Sequence, residues 1–174
     1  MLLKEYQNAR LADRKALGKN AEHLKAYLSL PGYRIMTHFR RCQYLKGKKW
    51  LIPLYFLERL IYHRMCVKFS CDIPSNTEIG PGFVIKHPVG IVINSHAVIG
   101  SDCSIRTGAL IGGSRTGVPV IGDHVSIGGH SIVLGGITVG DNSDIGAGAI
   151  VTHDVPRNAV VICESAHVHR IKEE

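Results

Sequence analysis

Long apolar runs, aromatic side chains and paired cysteines are all scarce in this 174-residue chain. No uninterrupted apolar stretch approaches the roughly eighteen residues that a bilayer-spanning helix needs, which excludes a transmembrane span. Aromatic residues make up 6% of the chain, and no nucleic-acid recognition motif accompanies them. The net charge of +7 therefore suits phosphate-bearing ligands, anionic polymers or headgroups rather than nucleic acid. The five cysteines, Cys42, Cys66, Cys71, Cys103 and Cys163, are odd in number and contain no CxxC pair. That argues against a disulfide framework and a structural zinc site, and is simplest in a reducing, cytoplasmic setting. The opening stretch MLLKEYQNARLADRKALGKN is charged throughout and lacks the apolar segment of a secretory leader.

What the chain has in quantity is a period of six. Branched aliphatic residues recur at Ile79, Ile85 and Ile91, then at Ile93, Ile99, Ile105 and Ile111, then at Ile121, Ile127, Val133, Val139, Ile145 and Val151. A helix repeats near 3.6 and an ordinary half-buried strand near 2, so this spacing calls for short strands joined by corners. Each hexad supplies one side of a coil, with the aliphatic residue inward and Gly, Asn or Asp at the turn. Three hexads close a triangular coil, and about four stacked coils bury the continuous core that one hexad cannot. A Gly-rich β-sandwich is the alternative, but its strands would not hold one spacing for so long.

Ahead of the repeat, residues 1–68 read as a helical cap over the open end of the solenoid. Residues 1 to about 30 suggest a polar helix interrupted near Gly18, followed by a short helix from Tyr33 to about Gly47 and another from Ile52 to Lys68. In the last of these, Leu54, Leu57, Leu60, Ile61 and Met65 form an apolar stripe expected to face inward, leaving Arg59, Arg64 and Lys68 outward. The basic segment RRCQYLKGKKW is either a solvated helix end or a membrane-surface contact. Residues 69–155 form the β-helix and 156–174 a C-terminal tail.

The repeat breaks twice. Its register slips by two residues between Ile91 and Ile93, directly after KHPVG, and GGSRTG expands the spacing between Ile111 and Ile121 to ten. Departures from a regular scaffold are where chemistry is expected.

The segments CDIPSNTEIGPGFVIKHPVGIVI, IGGS, IGGHSIVLGGITVG and IGAGAIVTHDVP resemble the serine O-acetyltransferase branch of the hexapeptide-repeat acyltransferases. The resemblance implies a mainly β fold, a left-handed parallel β-helix with a short helical cap, assembled as a homotrimer with acetyl-CoA between neighbouring solenoids. It matches His87 to the catalytic histidine and Asp72, fifteen residues earlier, to the aspartate paired with it. Such a histidine deprotonates the acceptor hydroxyl, and the aspartate orients the imidazole and stabilises the imidazolium. Gly112, Gly113, Ser114, Gly128, Gly129, Gly146 and Ala147 match positions lining the pantetheine groove, and a backbone N–H from Gly112 to Ser114 would stabilise the oxyanion. Arg115, Arg157, Arg170 and Lys172 are candidate phosphate partners. Lys86, Arg106 and Arg115 are candidate acceptor-binding residues.

Three departures bear on the acceptor. Serine-specific members carry an aspartate where this chain has Lys86, an Arg-His pair in the loop that is shortened here to GGSRTGVPVI, and an Asp-Pro element near the position of ARLADRKAL. Losing groups that hold an amino acid's ammonium and carboxylate is incompatible with the same specificity. The pattern is more similar to acetyltransferases of polysaccharide clusters, which modify a sugar hydroxyl. The expected function is acetyl-CoA-dependent O-acetylation of a saccharide or its activated or lipid-linked precursor. Serine O-acetylation and a non-catalytic trimeric scaffold are the alternatives. A zinc hydratase of related fold would need a closely spaced histidine pair, which is absent around His124, so no metal is expected.

Overall fold

The computed structural model describes residues 1–18 and 22–164. Its N-terminal part holds helices α1 (Leu3–Lys15), α2 (His23–Ser29), α3 (Pro31–Leu45) and α4 (Ile52–Lys68), with a 3-10 turn over Lys49–Leu51. The first coil comprises β1 (Glu78–Ile79), β2 (Val84–Lys86) and β3 (Val92–Ile93), and the second β4 (Val98–Ile99), β5 (Ser104–Arg106) and β6 (Leu110–Gly112). The third holds β7 (Val120–Ile121), β8 (Ser126–Ile127) and β9 (Ile132–Leu134), and the fourth β10 (Thr138–Val139), β11 (Asp144–Ile145) and β12 (Ile150–Val151). A final strand, β13 (Val160–Val161), starts another turn.

All pairing between coils is parallel, and it makes three sheets, ordered β1-β4-β7-β10, β2-β5-β8-β11-β13 and β3-β6-β9-β12. Register is set by the aliphatic ladder: Ile79 pairs with Ile99 and Ile99 with Ile121, while Ile85 pairs with Ile105 and Ile105 with Ile127. These side chains are buried, each worth roughly 1.5–3 kcal/mol of apolar transfer. A one-residue slip would turn every one of them to solvent. The solenoid continues past Val155, where the sequence reading ended it, because β13 pairs with β11 and the hydroxyl of Ser143 donates to the carbonyl of Pro156.

The cap is fastened to the first coil by one buried ion pair. Arg40, 1% exposed, donates from Nε to Asp13 Oδ2 at 2.9 Å and from Nη2 to Asp13 Oδ1 at 3.2 Å. The same guanidinium donates to the carbonyls of Ile79 and Gly80, both at 2.6 Å. Asp13 Oδ1 in turn accepts the amides of Gly82 at 2.9 Å and Phe83 at 3.1 Å. Burial pushes the Asp13 carboxyl above its ordinary value, opposed by the hydrogen bond and charge of Arg40. At Gly32 the backbone of α3 comes so close to the coil that a Cβ would lie 2.0 Å from the Ile85 carbonyl oxygen.

Helix α4 departs from the expected stripe. Met65 packs inward and Arg59, Arg64 and Lys68 stay exposed, as expected. Leu54, Leu57, Leu60 and Ile61, however, are exposed, and the buried face is Glu58, Tyr62 and Cys66. Polar partners choose that face: Tyr62 donates to the Ile73 carbonyl at 2.5 Å, and Glu58 pairs with buried His38. Burial holds the His38 imidazole below its ordinary value, against the pull of Glu58. A neutral ring fits its partners, with Nδ1–H donating to Glu58 and Nε2 accepting the Tyr27 hydroxyl at 2.8 Å. Charged and apolar residues are interspersed around α4, so its sequence pattern does not single out the buried face. Among the described residues, no helix is long and apolar enough to cross a membrane.

Arg40→Ala leaves Asp13 buried without its counter-ion, so urea denaturation is expected to show a loss of about 3–5 kcal/mol. Lys25→Ala on exposed α2 should change stability by less than about 0.5 kcal/mol. Equal stabilities for the two variants would rule out the clamp as the cap's anchor.

Candidate active site

The triangular coil has three edges, and the expected site residues divide between two of them. One edge lies between the β2 sheet and the β3 sheet. It is built by the corners after Lys86, Arg106, Ile127 and Ile145, which stack through amide-to-carbonyl bonds from Gly108 to Val89, His130 to Thr107 and Gly148 to Gly129. His87 stands at its top, exposed, with φ 55°. The regular left-handed corner of this coil is Gly90, which stacks on Gly108, so the left-handed backbone of His87 belongs to the two-residue insertion that breaks the repeat.

Asp72 lies one coil earlier, stacked on β3 just past this edge. Its amide donates to the Ile91 carbonyl, its carbonyl accepts from Ile93, and the residue bridges to Val92. Its side chain is exposed like that of His87, and no hydrogen bond joins the two. The structure therefore sets Asp72 against the strand that follows the His87 corner and leaves the expected pair unbonded. Below them, Lys86 and Arg106 are direct register partners on the outer face of adjacent strands, both exposed. Gly128, Gly129, Gly146 and Ala147 continue down this edge.

Gly112, Gly113, Ser114 and Arg115 lie on the next edge, at the far end of the β6 strand. There Ser114 and Gly117 close a small turn through reciprocal amide-to-carbonyl bonds of 2.8 and 3.2 Å. Thr116 Oγ1 accepts the Gly136 amide at 3.1 Å and ties the turn to the coil below. The Ser114 amide is thus committed, whereas the Gly113 amide has no partner among the described hydrogen bonds. Within one chain these residues face a different groove from His87.

The glycines sort by what surrounds them. A Cβ on Gly128 would meet the Ala147 amide at 2.5 Å, and on Gly146 the Val161 carbonyl at 2.9 Å, so coil stacking alone demands both. At Gly113 and Gly129 the nearest atoms lie 3.3 Å from a built Cβ, leaving approach of a ligand arm as a further use for their smallness. Arg157 is exposed, whereas Arg170 and Lys172 lie outside the described residues.

Three side chains on this site escaped the sequence reading. Arg59 and His63, one helical turn apart on α4, line a cleft of about 220 Å³ with Tyr62, Asp72 and Pro74. Their spacing of four was visible in sequence, but the side of α4 that meets the coil was not. His130 lies on the edge below His87 and covers Gly108, where a Cβ would fall 2.3 Å from its Nδ1. Burial pushes the thiols of Cys42 and Cys103 up to about 12 and about 11, so neither offers a thiolate nucleophile near neutrality.

Comparison with known proteins agrees with this architecture. The family described as the hexapeptide repeat of succinyl-transferase matches residues 117–153. WcaB of Escherichia coli K12, provisionally named a colanic acid biosynthesis acetyltransferase, is 35% identical over 161 residues, covering 90% of this chain and 98% of WcaB. The serine acetyltransferase of Buchnera aphidicola from Schizaphis graminum is 34% identical over 164 residues, but the match spans only 61% of that longer protein. In three dimensions the serine acetyltransferase of Neisseria gonorrhoeae superposes with a TM-score of 0.77 at 31% identity, over 95% of this chain and 68% of that one. With four parallel coils, a helical cap and near end-to-end similarity to WcaB, the chain is a left-handed parallel β-helix and belongs to the hexapeptide-repeat acetyltransferases of the serine acetyltransferase and WcaB type.

Proposed function

We propose that this acyltransferase moves an acetyl group from acetyl-CoA to a hydroxyl of a saccharide or saccharide precursor, with His87 as general base. The observation that carries the acceptor assignment is the stacking of Lys86 on Arg106 beside His87. Two adjacent cations offer no carboxylate to hold the ammonium of serine, and they suit a phosphate or carboxylate on an activated or acidic sugar. Asp13, the acid within ARLADRKAL, gives serine no alternative anchor, since Arg40 and two amides occupy its carboxylate. The full-length match to WcaB accords with the same reading.

His87 takes the acceptor's hydroxyl proton as the oxygen bonds to the thioester carbonyl carbon, and returns it to the departing sulfur when the C–S bond breaks. Asp72 swings against the imidazole across the exposed corner and stabilises its charged form. The unpartnered Gly113 amide donates to the carbonyl oxygen as it becomes an oxyanion. Because His87 and Gly113 occupy different edges, a neighbouring copy supplies one of them, which fits a homotrimer with acetyl-CoA held between solenoids. Gly129 and Ala147 then flank the pantetheine arm, and Arg115 approaches the acceptor or donor phosphates from the adjoining chain. The zinc hydratase and scaffold alternatives offer no role for a histidine and an aspartate brought beside one exposed edge.

Incubation with acetyl-CoA and, separately, L-serine, nucleotide sugars and acidic oligosaccharides should add one acetyl mass to a saccharide. Efficient turnover of serine alone would defeat the assignment. His87→Asn is the informative variant, because Asn tolerates the left-handed corner that Ala would strain. Its turnover is expected to fall by roughly 10²–10⁴-fold with unfolding temperature unchanged, and near-wild-type turnover would remove His87 from the chemistry. Co-expressing inactive His87→Asn with inactive Gly113→Val should restore activity through mixed assemblies. No recovery, or a sedimenting mass equal to the 19.0 kDa chain, would show that the site is not shared.

A further inference from the structure

We propose that the outward face of α4, with the turn before it, docks on the surface of an anionic lipid bilayer. The inner side of the helix packs Glu58, Tyr62 and Cys66 against the cap and coil, while Leu54, Phe56, Leu57, Leu60 and Ile61 point to solvent. Phe56 is 64% exposed and Leu57 54%, and Trp50, in the turn ahead of the helix, is 97% exposed. An exposed apolar patch of this kind marks a surface with its own apolar environment.

The charges around this face select the occupant. Lys46 and Lys49 flank its start, and Arg64 and Lys68 its end, all exposed. The sole acid from Lys46 to Lys68 is Glu58, which is buried on the opposite side against His38. Two copies meeting face to face through this surface would set those cations against one another with no exposed acid between them. A bilayer carrying anionic headgroups satisfies both halves of the pattern, taking the apolar ridge into the acyl boundary and the lysines and arginines at the phosphates. An exposed indole beside lysines suits the interfacial layer. At 17 residues with internal Glu, Arg and His, the helix lies on the surface and does not span.

The consequence for the site is positional. Arg59 and His63 leave the same helix toward the cleft that holds Asp72, so docking sets that cleft beside the lipid surface. If the acceptor is a lipid-linked sugar, as the preceding reading allows, it arrives already concentrated in the plane of the membrane. The docking itself needs no acceptor and no acetyl-CoA, so it stands or falls separately from that reading.

Trp50 is the only tryptophan of the chain and reports on its own environment. Mixing the full-length protein with phosphatidylcholine vesicles containing phosphatidylglycerol should shift its emission to shorter wavelength, allow quenching by brominated acyl chains, and sediment the protein with the vesicles. Pure phosphatidylcholine should do so far less. Lys46→Gln and Lys49→Gln should each weaken binding roughly fivefold at low salt. The double variant Phe56→Ser and Leu57→Ser should abolish co-sedimentation with unfolding temperature unchanged. Absence of binding to the anionic vesicles overturns the proposal. So does vesicle-free Trp50 emission that is already blue-shifted and reverts on dilution, which would show that a second copy covers the face.

Discussion

The inward ladder of aliphatic side chains is the constraint on which everything else hangs. Each coil is too small to bury anything alone, so Ile85, Ile105, Ile127 and Ile145 must fall in register above one another, and the backbone between them must turn within a few residues. Left-handed corners are the cost of that turning, and they fall on histidine, aspartate and asparagine as well as glycine. Each hexad turns its ladder residue and the residue two places before it inward, as at Cys103 and Ile105, and leaves the corner residues free to face outward. A rigid scaffold thus presents His87 on an exposed edge whose position is fixed by the stacking beneath it.

That edge alone does not make a complete site. His87, Lys86 and Arg106 share it with Asp72 on the strand alongside, while the turn at Ser114 to Gly117 projects from the next. A catalytic constellation split over two edges of one prism is joined by placing two prisms side by side, which makes assembly part of the proposed chemistry. In the proposed function, the cations stacked beside His87 favour an acceptor that carries phosphate or carboxylate.

The cap contributes in a different manner. Asp13 and Arg40 spend nearly all their hydrogen-bonding capacity on each other and on the first coil, so they position α3, and α4 against it, without touching a substrate. Held that way, α4 offers the coil a face chosen by Tyr62 and Glu58 and offers solvent an apolar ridge. Arg59 and His63 occupy the boundary between the two, which is how a helix of the cap comes to line a cleft with Asp72.

The solenoid was readable residue by residue because its periodicity is one-dimensional: inward positions repeat along the chain, and the two breaks at His87 and Ser114 stand out against them. The long helix was readable in extent but not in orientation, since charged and apolar residues are interspersed around it and the partners that choose its buried face come from α3 and the first coil. The same reason hid Arg59, His63 and His130, whose neighbours are distant in sequence. Spacing placed Asp72 and His87 about one coil apart and so near one corner, but it carried no information on side-chain contact, and the two remain unbonded. Local repetition thus determined the architecture, whereas the facing of α4, the consumption of Asp13 and the division of the site between two edges were decided by contacts between separate elements. No periodic signal records such contacts.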